Sequence, residues 1–297
     1  MGSIRKLPIV LLATLLVGAF VRAESTGVAQ LRRIVSLAPS VTETLFALDA
    51  GEQLVGICTF CDFPADVTRI ERIGSYLTPN VEAIVAKRPD VVIGVPPNNP
   101  EAIAALRRLG IKVVIVQVDT IAQITDAIQM IAHEAGRDPQ GEALLADIQA
   151  RMRTVRTRLA KAEPRRVLMV VGQNPLIAVG NGIYLNELIS QARGINIAAD
   201  AGQPWPHLSL EAAVARQPEV IIDSSMGSEE KNISQHLGIW QNFPTLPAVR
   251  DGRLYGRQSY ILLRPGPRLA EGFAEIARLI HPECFSSTEA DRSGGIR

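Results

Sequence analysis

The chain has 297 residues, with 31 lysine and arginine side chains against 30 aspartate and glutamate side chains. This length, together with 47% hydrophobic residues, predicts one large domain or two of ordinary size and excludes a wholly disordered chain. The balanced charge argues against a nucleic-acid-binding protein, and three cysteines are too few for a scaffold held together by disulfides.

The first predicted element is an export signal. Two basic residues, Arg5 and Lys6, precede an uncharged and mostly apolar run from Leu7 to Val21, which ends at the small-x-Ala site before Glu24. This run is shorter than the roughly 20 residues of a membrane span, which would be the alternative. We therefore predict that residues 1–23 are a signal peptide cleaved after Ala23, leaving a soluble periplasmic protein. No cysteine occurs before Cys58, so a lipid anchor at the cleavage site is not expected.

Strands and helices alternate in the next part of the chain. Runs rich in Val and Ile predict strands at Arg33–Leu37, Leu54–Cys58, Val91–Val95 and Lys112–Val118. Apolar residues at helical spacing predict helices at Thr42–Ala50, Val81–Arg88, Ile103–Leu109 and Ile121–Ala135, the last ended by Gly136. Such alternation is typical of a mainly parallel sheet, and we assign residues 31–136 to an N-terminal lobe.

A single long helix is predicted over residues 138–163. Between Pro139 and Ala162 apolar residues recur at helical spacing, with arginine and lysine on the opposite face. Twenty-four helical residues would extend about 36 Å, enough to run the height of a lobe. Pro164 ends the helix.

The same alternation resumes in residues 164–281, which we assign to a C-terminal lobe. Strands are predicted at Arg166–Val171, Val220–Asp223 and Arg253–Tyr255. Helices are predicted at Tyr184–Ala192, Leu210–Arg216 and Arg268–His281. Residues 282–297 are predicted to be a flexible tail, because from Ser286 onward they are mostly polar.

An internal repeat relates the two lobes. Glu82–Ile93 and Glu211–Ile222 share most of their residues, including the proline before the strand. Asn80 and Ser209 precede the two copies as plausible helix N-caps. The repeat predicts a helix–proline–strand unit at an equivalent place in each lobe.

Two acidic residues, Glu82 and Glu211, open the two repeats. Their simpler interpretation is a favourable interaction with the helix dipole. The other interpretation is that each lobe presents one carboxylate on the same surface, which would suit a two-fold symmetric partner with two basic sockets.

Patterns for catalysis or a metal centre are weak. Cys58 and Cys61 have redox spacing, but the following Asp62-Phe63-Pro64 reads as a loop, which favours a local disulfide or two free thiols. The four histidines are scattered, and no Gly-x-Ser-x-Gly elbow or dinucleotide-binding glycine motif is present. We therefore predict no catalytic residues and no metal site.

Aromatic residues are scarce but fall between the predicted elements. These positions are Phe60, Phe63, Tyr76, Trp205, Trp240 and Tyr260. Loops at the carboxyl ends of parallel strands commonly bind ligands in α/β proteins. Two facing lobes would bring the aromatics of both to one cleft.

Five motifs resemble, in their order, the substrate-binding proteins of metal-chelate ABC importers. They are the segments 33–43 (RIVSLAPSVTE), 62–64 (DFP), 80–82 (NVE), 204–206 (PWP) and 264–268 (RPGPR). The pattern is similar in particular to the vitamin B12 (cobalamin)-binding branch and extends over nearly the whole mature chain. The resemblance implies two Rossmann-like lobes bridged by one rigid helix, with the ligand held between them.

The resemblance also implies roles for individual residues. Phe60 stands where the family has a ligand-contacting tyrosine, Tyr76 where it can have tryptophan, and Trp205 at the tryptophan of the second lobe. The remaining ligand-binding positions implied are Tyr260, Ile261, Leu262, Leu263 and Arg264, in the loop before the last helix. The family docks onto a dimeric permease through one glutamate per lobe, and these match Glu82 and Glu211. Leu262 and Leu263 replace more polar or aromatic residues of the family, and Arg264 and Arg268 could instead support the start of the helix.

The expected function is capture of a corrinoid and its delivery to an ABC permease dimer with its ATPase, without a chemical step. The protein is expected to act as a monomer with no cofactor and no nucleic-acid partner. Haem or a ferric siderophore is the alternative cargo, with His207 as a possible axial ligand of haem. A more remote alternative is an exported thiol-disulfide enzyme that uses Cys58 and Cys61.

Overall fold

The computed structural model describes residues 31–225, 237–256 and 260–285. The predicted signal peptide (residues 1–23) and the distal part of the predicted tail (residues 286–297) lie outside these ranges.

A four-stranded parallel sheet forms the N-terminal lobe. Its strands are β1 Ile34–Ser36, β2 Leu54–Ile57, β3 Val91–Gly94 and β4 Lys112–Ile115, in the spatial order β2-β1-β3-β4. Its helices are α1 Pro39–Ala47, α2 Val81–Ala86, α3 Pro100–Arg108 and α4 Ile121–Ala135. Parallel strands need crossover connections, and most of these helices supply them.

The C-terminal lobe contains a five-stranded mixed sheet. Its strands are β5 Arg165–Gln173, β6 Leu176–Ala178, β7 Gly194–Asn196, β8 Val220–Asp223 and β9 Leu254–Gly256. Strand β5 pairs in parallel with β7 and β8, β8 pairs in parallel with β9, and β6 is antiparallel to β5. Its helices are α6 Tyr184–Gln191, α7 Leu210–Ala215, α8 Pro247–Arg250, α9 Tyr260–Leu263 and α10 Leu269–Ile280. The predicted class, two α/β lobes with mainly parallel sheets, is confirmed.

Both faces of the N-terminal sheet are covered. Ile34 and Ile93 pack with Leu45 on one face, whereas Val35 and Val92 belong to a second cluster on the other face. This is why the predicted strands appear as continuous apolar runs rather than as alternating ones.

Helix α5, Asp138–Arg158, connects the two lobes. Its 21 residues extend about 32 Å, and it packs against α4 on one side and α10 on the other. Leu145, Ile148 and Met152 lie on its buried face. An ion pair between Arg151 Nη2 and Glu271 Oε1, at 3.1 Å, ties α5 to α10. The predicted long helix is therefore present, but its helical part ends at Arg158, before Ala162.

The internal repeat folds as predicted, into two equivalent units. The side chains of Asn80 and Ser209 accept hydrogen bonds from the backbone N–H three residues later, at 3.0 and 3.1 Å. Arg88 and Gln217, at matching positions, have positive φ angles of 48° and 50°. Both lobes therefore make the same turn between helix and strand.

The structure differs from the sequence-based expectation mainly at short elements and at helix starts. Helices α1 and α3 begin at Pro39 and Pro100, each three residues before the predicted start, because proline fits the first turn of a helix. Strands β6 and β7 were not predicted, since three residues are too few to show a periodic pattern of apolar side chains.

Candidate functional site

The two lobes meet beside the carboxyl ends of their strands. Residues 58–63 follow β2 of the N-terminal lobe, and α9 and residues 264–268 come after β9 of the C-terminal lobe. We call the contact formed by Glu43, Phe60, Asp62, Arg264 and Arg268 the inter-lobe junction. The carboxyl ends of parallel strands are the usual ligand-binding edge of α/β sheets.

Glu43 on α1 lies at the centre of this junction. Its side chain is only 2% exposed and accepts hydrogen bonds from two arginines of the other lobe. Arg268 binds it through Nε to Oε2 and Nη2 to Oε1, both at 2.8 Å, and Arg264 Nη1 lies 2.9 Å from Oε1. Such a fork-to-carboxylate arrangement is the stronger form of a charge-assisted hydrogen bond.

Asp62 provides the second acidic partner of the junction. Arg264 Nη2 donates to Asp62 Oδ2 at 2.9 Å, and Nη1 donates to the other oxygen. These hydrogen bonds from Arg264 hold the pKa of Asp62 below its usual range, so the carboxylate is charged at neutral pH. Two arginines and two carboxylates therefore balance each other across the lobes.

Exposed aromatic rings surround the two arginines. Arg264 lies 4.5 Å from the ring centroid of Tyr260, and its Nη2 donates to the backbone oxygen of Phe60 at 3.3 Å. Arg268 lies 4.2 Å from the ring centroid of Phe63. Phe60 and Tyr260 are 60% and 55% exposed. The structure thus brings together two predicted ligand-binding aromatics, one from each lobe.

Arg264 was predicted to face the ligand. Its side chain is 10% exposed, and its guanidinium is engaged by Glu43, Asp62 and the Phe60 carbonyl. The arginine therefore positions the exposed aromatics rather than presenting a free guanidinium.

Trp205 is exposed and lies on a separate loop of the C-terminal lobe. Ala178 N–H donates to the Pro206 oxygen at 3.0 Å, and Gly180 N–H donates to the Pro204 oxygen at 2.8 Å. A side chain at position 180 would collide with the oxygen of Gln203, so the close approach requires glycine. These contacts hold the loop firmly while the indole remains in solvent.

Tyr76 is half-buried, and its hydroxyl donates to the Pro96 carbonyl. Burial raises the pKa of Tyr76 to about 12. The side-chain amide of Asn98 donates to the backbone oxygen of Tyr76 at 2.7 Å, which fixes the backbone there.

The prediction for residues 260–264 needs correction. Tyr260–Leu263 form the one-turn helix α9 rather than a loop, and Leu262 is fully buried in the core of the C-terminal lobe. Its oxygen accepts a 2.8 Å hydrogen bond from the buried Tyr184 hydroxyl. Ile261 and Leu263 are partly buried, with Leu263 packed against the same core. A helical turn sends successive side chains in different directions, so this stretch cannot line a site with all its residues.

Trp240 is also a core residue. It is fully buried among the apolar side chains beneath the C-terminal sheet, within a helical stretch at 237–241. Its predicted place in a loop is therefore wrong, and it leaves the set of candidate ligand contacts.

The cysteine pair lies in a turn, as predicted from the loop residues Asp62-Phe63-Pro64 that follow it. Cys58 and Cys61 are buried, with their sulfur atoms 2.9 Å apart. They follow β2 and do not begin a helix, unlike the reactive cysteines of thioredoxin-like enzymes. Within the described residues, no group of three histidine, cysteine or acidic side chains could hold a metal.

Glu82 and Glu211 occupy the first turns of α2 and α7 and are exposed. Hydrogen bonds from its own backbone N–H and from Ser209 lower the pKa of Glu211. Neither carboxylate has an ion-pair partner within the described residues.

None of the described helices combines the length and the apolar character needed to cross a membrane.

Comparison with known proteins identifies relatives that are described as binding proteins. A family model described as periplasmic binding protein matches residues 34–260. The "Vitamin B12-binding protein" of Vibrio cholerae serotype O1 is 31% identical over 246 residues, which cover 82% of this chain and 87% of the relative. A protein with the same description from Yersinia pestis is 30% identical over equal shares.

Solved structures agree with this result. The periplasmic vitamin B12 binding protein BtuF of Vibrio cholerae superposes with a TM-score of 0.75 at 30% identity, covering 85% of this chain and 97% of that one. The periplasmic heme-binding protein RhuT from Roseiflexus sp. RS-1 has the same TM-score at 27% identity, covering 86% and 99%. Because the family model matches residues 34–260 and a relative of 31% identity is covered over 87% of its length, the chain belongs to the periplasmic binding protein family.

Proposed function

We propose that the protein captures a corrinoid such as vitamin B12 between its lobes and delivers it to the permease of an ABC importer. The observation that carries the proposal is the pair of exposed aromatics, Phe60 and Tyr260, brought together from the two lobes around Arg264. Support also comes from the relatives described as vitamin B12-binding proteins.

The chemistry of a corrinoid suits such a surface. It has a broad planar body with apolar faces and a rim of amide groups. Exposed aromatic side chains such as Phe60, Trp205 and Tyr260 would cover a face and remove apolar area from water. The amide rim would require polar partners at the edge of this surface.

The proposed action includes no chemical step and no cofactor. In folded protein both cysteine sulfurs are buried, which leaves a thiol-disulfide enzyme without an accessible nucleophile. Helix α5 and the inter-lobe junction restrain the lobes, so release would require the permease to separate them with energy from its ATPase.

We further propose that the monomeric chain docks onto a permease dimer through Glu82 and Glu211. The two acids lie at equivalent positions of the two repeats and carry no ion-pair partner among described residues. A two-fold symmetric permease would meet them with two equivalent basic sockets. This mode of docking requires export of the protein to the periplasm, with signal-peptide cleavage after Ala23. If N-terminal sequencing showed that the secreted protein starts at Met1, the result would contradict the proposed cleavage.

Ligand binding is expected to raise the unfolding temperature. At a cobalamin concentration 100 times the Kd, binding adds about 2.7 kcal/mol, or a shift of about 5 °C or more for a chain of this size. Thermal-shift assays with cobalamin, cobinamide, haem and a ferric siderophore measure it. No shift with any of the four would contradict the proposed binding function.

Haem is the second candidate cargo, favoured by a haem-binding relative and by the exposed His207 two residues after Trp205. A visible spectrum of the complex distinguishes the two, because axial histidine ligation changes the Soret band of haem. Loss of that spectral change in a His207→Ala variant would assign the cargo to haem.

Replacing Trp205 with alanine is expected to weaken corrinoid binding by about tenfold to hundredfold, since a buried aromatic contributes about 1.5–3 kcal/mol. Phe60→Ala is expected to act in the same direction. Met130→Ala serves as a control, because Met130 is an exposed apolar residue on α4 that takes part in none of the junction's hydrogen bonds or ring contacts. Isothermal titration measures the three affinities, and an unchanged Kd for both aromatic variants would remove these rings from the binding surface.

A further inference from the structure

Cys58 and Cys61 have no role in the proposed binding mechanism, and their side chains contact each other. The backbone N–H of Cys61 donates to the oxygen of Cys58 at 3.1 Å, which closes a turn over residues 58–61. Such a turn keeps the two Cα atoms within about 7 Å, near the range that a disulfide spans. The sulfur atoms are already 2.9 Å apart, so their side chains point at one another.

The surrounding contacts hold the turn in this shape. Arg72 Nη1 donates to the Cys58 oxygen at 3.2 Å and also to the Cys61 oxygen. Thr59 Oγ1 donates to the Gly74 oxygen at 2.9 Å, and Thr42 Oγ1 lies 3.1 Å from the Cys61 sulfur. Because the backbone is fixed on both sides, bond formation needs only a small movement of the two sulfur atoms toward the roughly 2.05 Å of a disulfide.

We propose that Cys58 and Cys61 form an intramolecular disulfide that fixes the turn carrying Phe60. The inference relies on the proposed export, because disulfides form and persist in oxidising compartments. Phe60 lies inside the turn, and its oxygen accepts the hydrogen bond from Arg264. The cross-link thus holds one of the two aromatics of the inter-lobe junction.

The oxidation balances with a disulfide as the oxidant, either oxidised glutathione or an exported protein disulfide. The Cys58 thiolate attacks one sulfur of the oxidant, forms a mixed disulfide and releases one thiol. Cys61 then loses its proton and attacks the Cys58 sulfur, which forms the internal bond and releases the second thiol. Two protons and two electrons leave the protein, and one oxidant disulfide becomes two thiols.

Either thiolate can make the first attack, and in the folded turn ionisation favours Cys58. The hydrogen bond from the Cys61 thiol lowers the pKa of Cys58, while the same interaction and burial raise the pKa of Cys61. A thiolate, not a thiol, is the nucleophile in disulfide exchange.

Burial determines when the bond forms. Both cysteines are almost fully inaccessible in the folded protein, so an oxidant reaches them before the turn is covered. Once formed, the bond is shielded from reductants. A cross-link of this kind is structural, in contrast to the accessible disulfide of a redox enzyme.

The test counts thiols in the full chain and does not involve any ligand. Reduced, unfolded protein is refolded with oxidised and reduced glutathione, quenched in acid, unfolded again and labelled with N-ethylmaleimide. Of the three cysteines, only Cys284 is expected to be labelled, and all three after treatment with a phosphine reductant. Three labels before reduction would overturn the proposal, as would a peptide map linking Cys284 to either partner. A Cys284→Ser variant, expected to carry no label before reduction, is the control.

A second measurement tests the effect on the turn. The oxidised protein is expected to unfold a few degrees above the Cys58→Ser/Cys61→Ser variant, and the same difference is expected when both proteins also carry Cys284→Ser. Equal temperatures for the oxidised protein and the double variant would show that the bond does not restrain the fold. Since neither readout uses a corrinoid, failure of the binding proposal and failure of this one are distinguishable.

Discussion

Replacing Glu43 with alanine is expected to lower the free energy of unfolding by about 3–5 kcal/mol. The side chain is 2% exposed, and its two oxygens accept hydrogen bonds from both Arg264 and Arg268. Its removal leaves two nearly buried guanidinium groups without their shared carboxylate. Leaving a desolvated charge without its partner lowers the free energy of unfolding far more than the intact ion pair raises it. Urea unfolding at neutral pH measures the change.

Asp62→Asn is the matched control for this prediction. Asp62 binds the same Arg264 but is 51% exposed, so solvent screens the interaction and the expected loss is about 1 kcal/mol or less. Because Glu43 belongs to α1 and its arginines to the C-terminal lobe, Glu43→Ala should also weaken the connection between lobes. A Glu43→Ala protein within 1 kcal/mol of the original, by the same unfolding measurement, would contradict the central role of this carboxylate.

Reversing both exposed acids, in a Glu82→Arg/Glu211→Arg variant, is expected to reduce ligand uptake at least tenfold while corrinoid affinity stays unchanged. Each substitution would place a positive charge against a proposed basic socket, and like charges brought together at an interface cost several kcal/mol. About 1.4 kcal/mol already corresponds to a tenfold change in binding. Uptake by vesicles containing the importer measures delivery, and isothermal titration measures ligand affinity.

Glu101→Arg is the matched control, since Glu101 is an exposed acid in the first turn of α3. It changes net charge at a similar helix position without belonging to the repeat. Each single variant, Glu82→Arg or Glu211→Arg, should give an intermediate loss. Equal losses in Glu101→Arg and the double variant would indicate a general charge effect and contradict docking through the two equivalent acids.

Much of the fold follows from local signals. Helix α4 has the predicted limits, Ile121–Ala135, because Thr120 and Gln123 form a capping box at one end and Gly136, with φ of 64°, ends the other. Strand β8 likewise has the predicted limits, Val220–Asp223, since its short apolar run begins two residues after Pro218. Each signal acts over a few residues, which makes it visible in a sequence.

The repeat is the strongest example of what the sequence by itself determined. The similarity of Glu82–Ile93 and Glu211–Ile222 predicted two equivalent units, and the structure gives them equal caps and equal left-handed turns. A capping side chain accepts from the backbone N–H three residues later, so the cap depends on local spacing alone. The positions of the two exposed acids on their helices could therefore be predicted.

Only the tertiary structure decided the inter-lobe junction. Glu43 lies 221 residues from Arg264 and 225 from Arg268, and no local pattern indicates that these three side chains meet. The structure likewise separated exposed Tyr260 from buried Leu262, two residues apart in a helical turn that the sequence suggested was a loop. Which side of a short element faces the core depends on what packs against it, and that packing is set by distant parts of the chain. The sequence thus determined the elements and their repetition, whereas the contact between lobes, and with it the arrangement of the candidate ligand-binding aromatics, was decided by long-range packing and ion pairing.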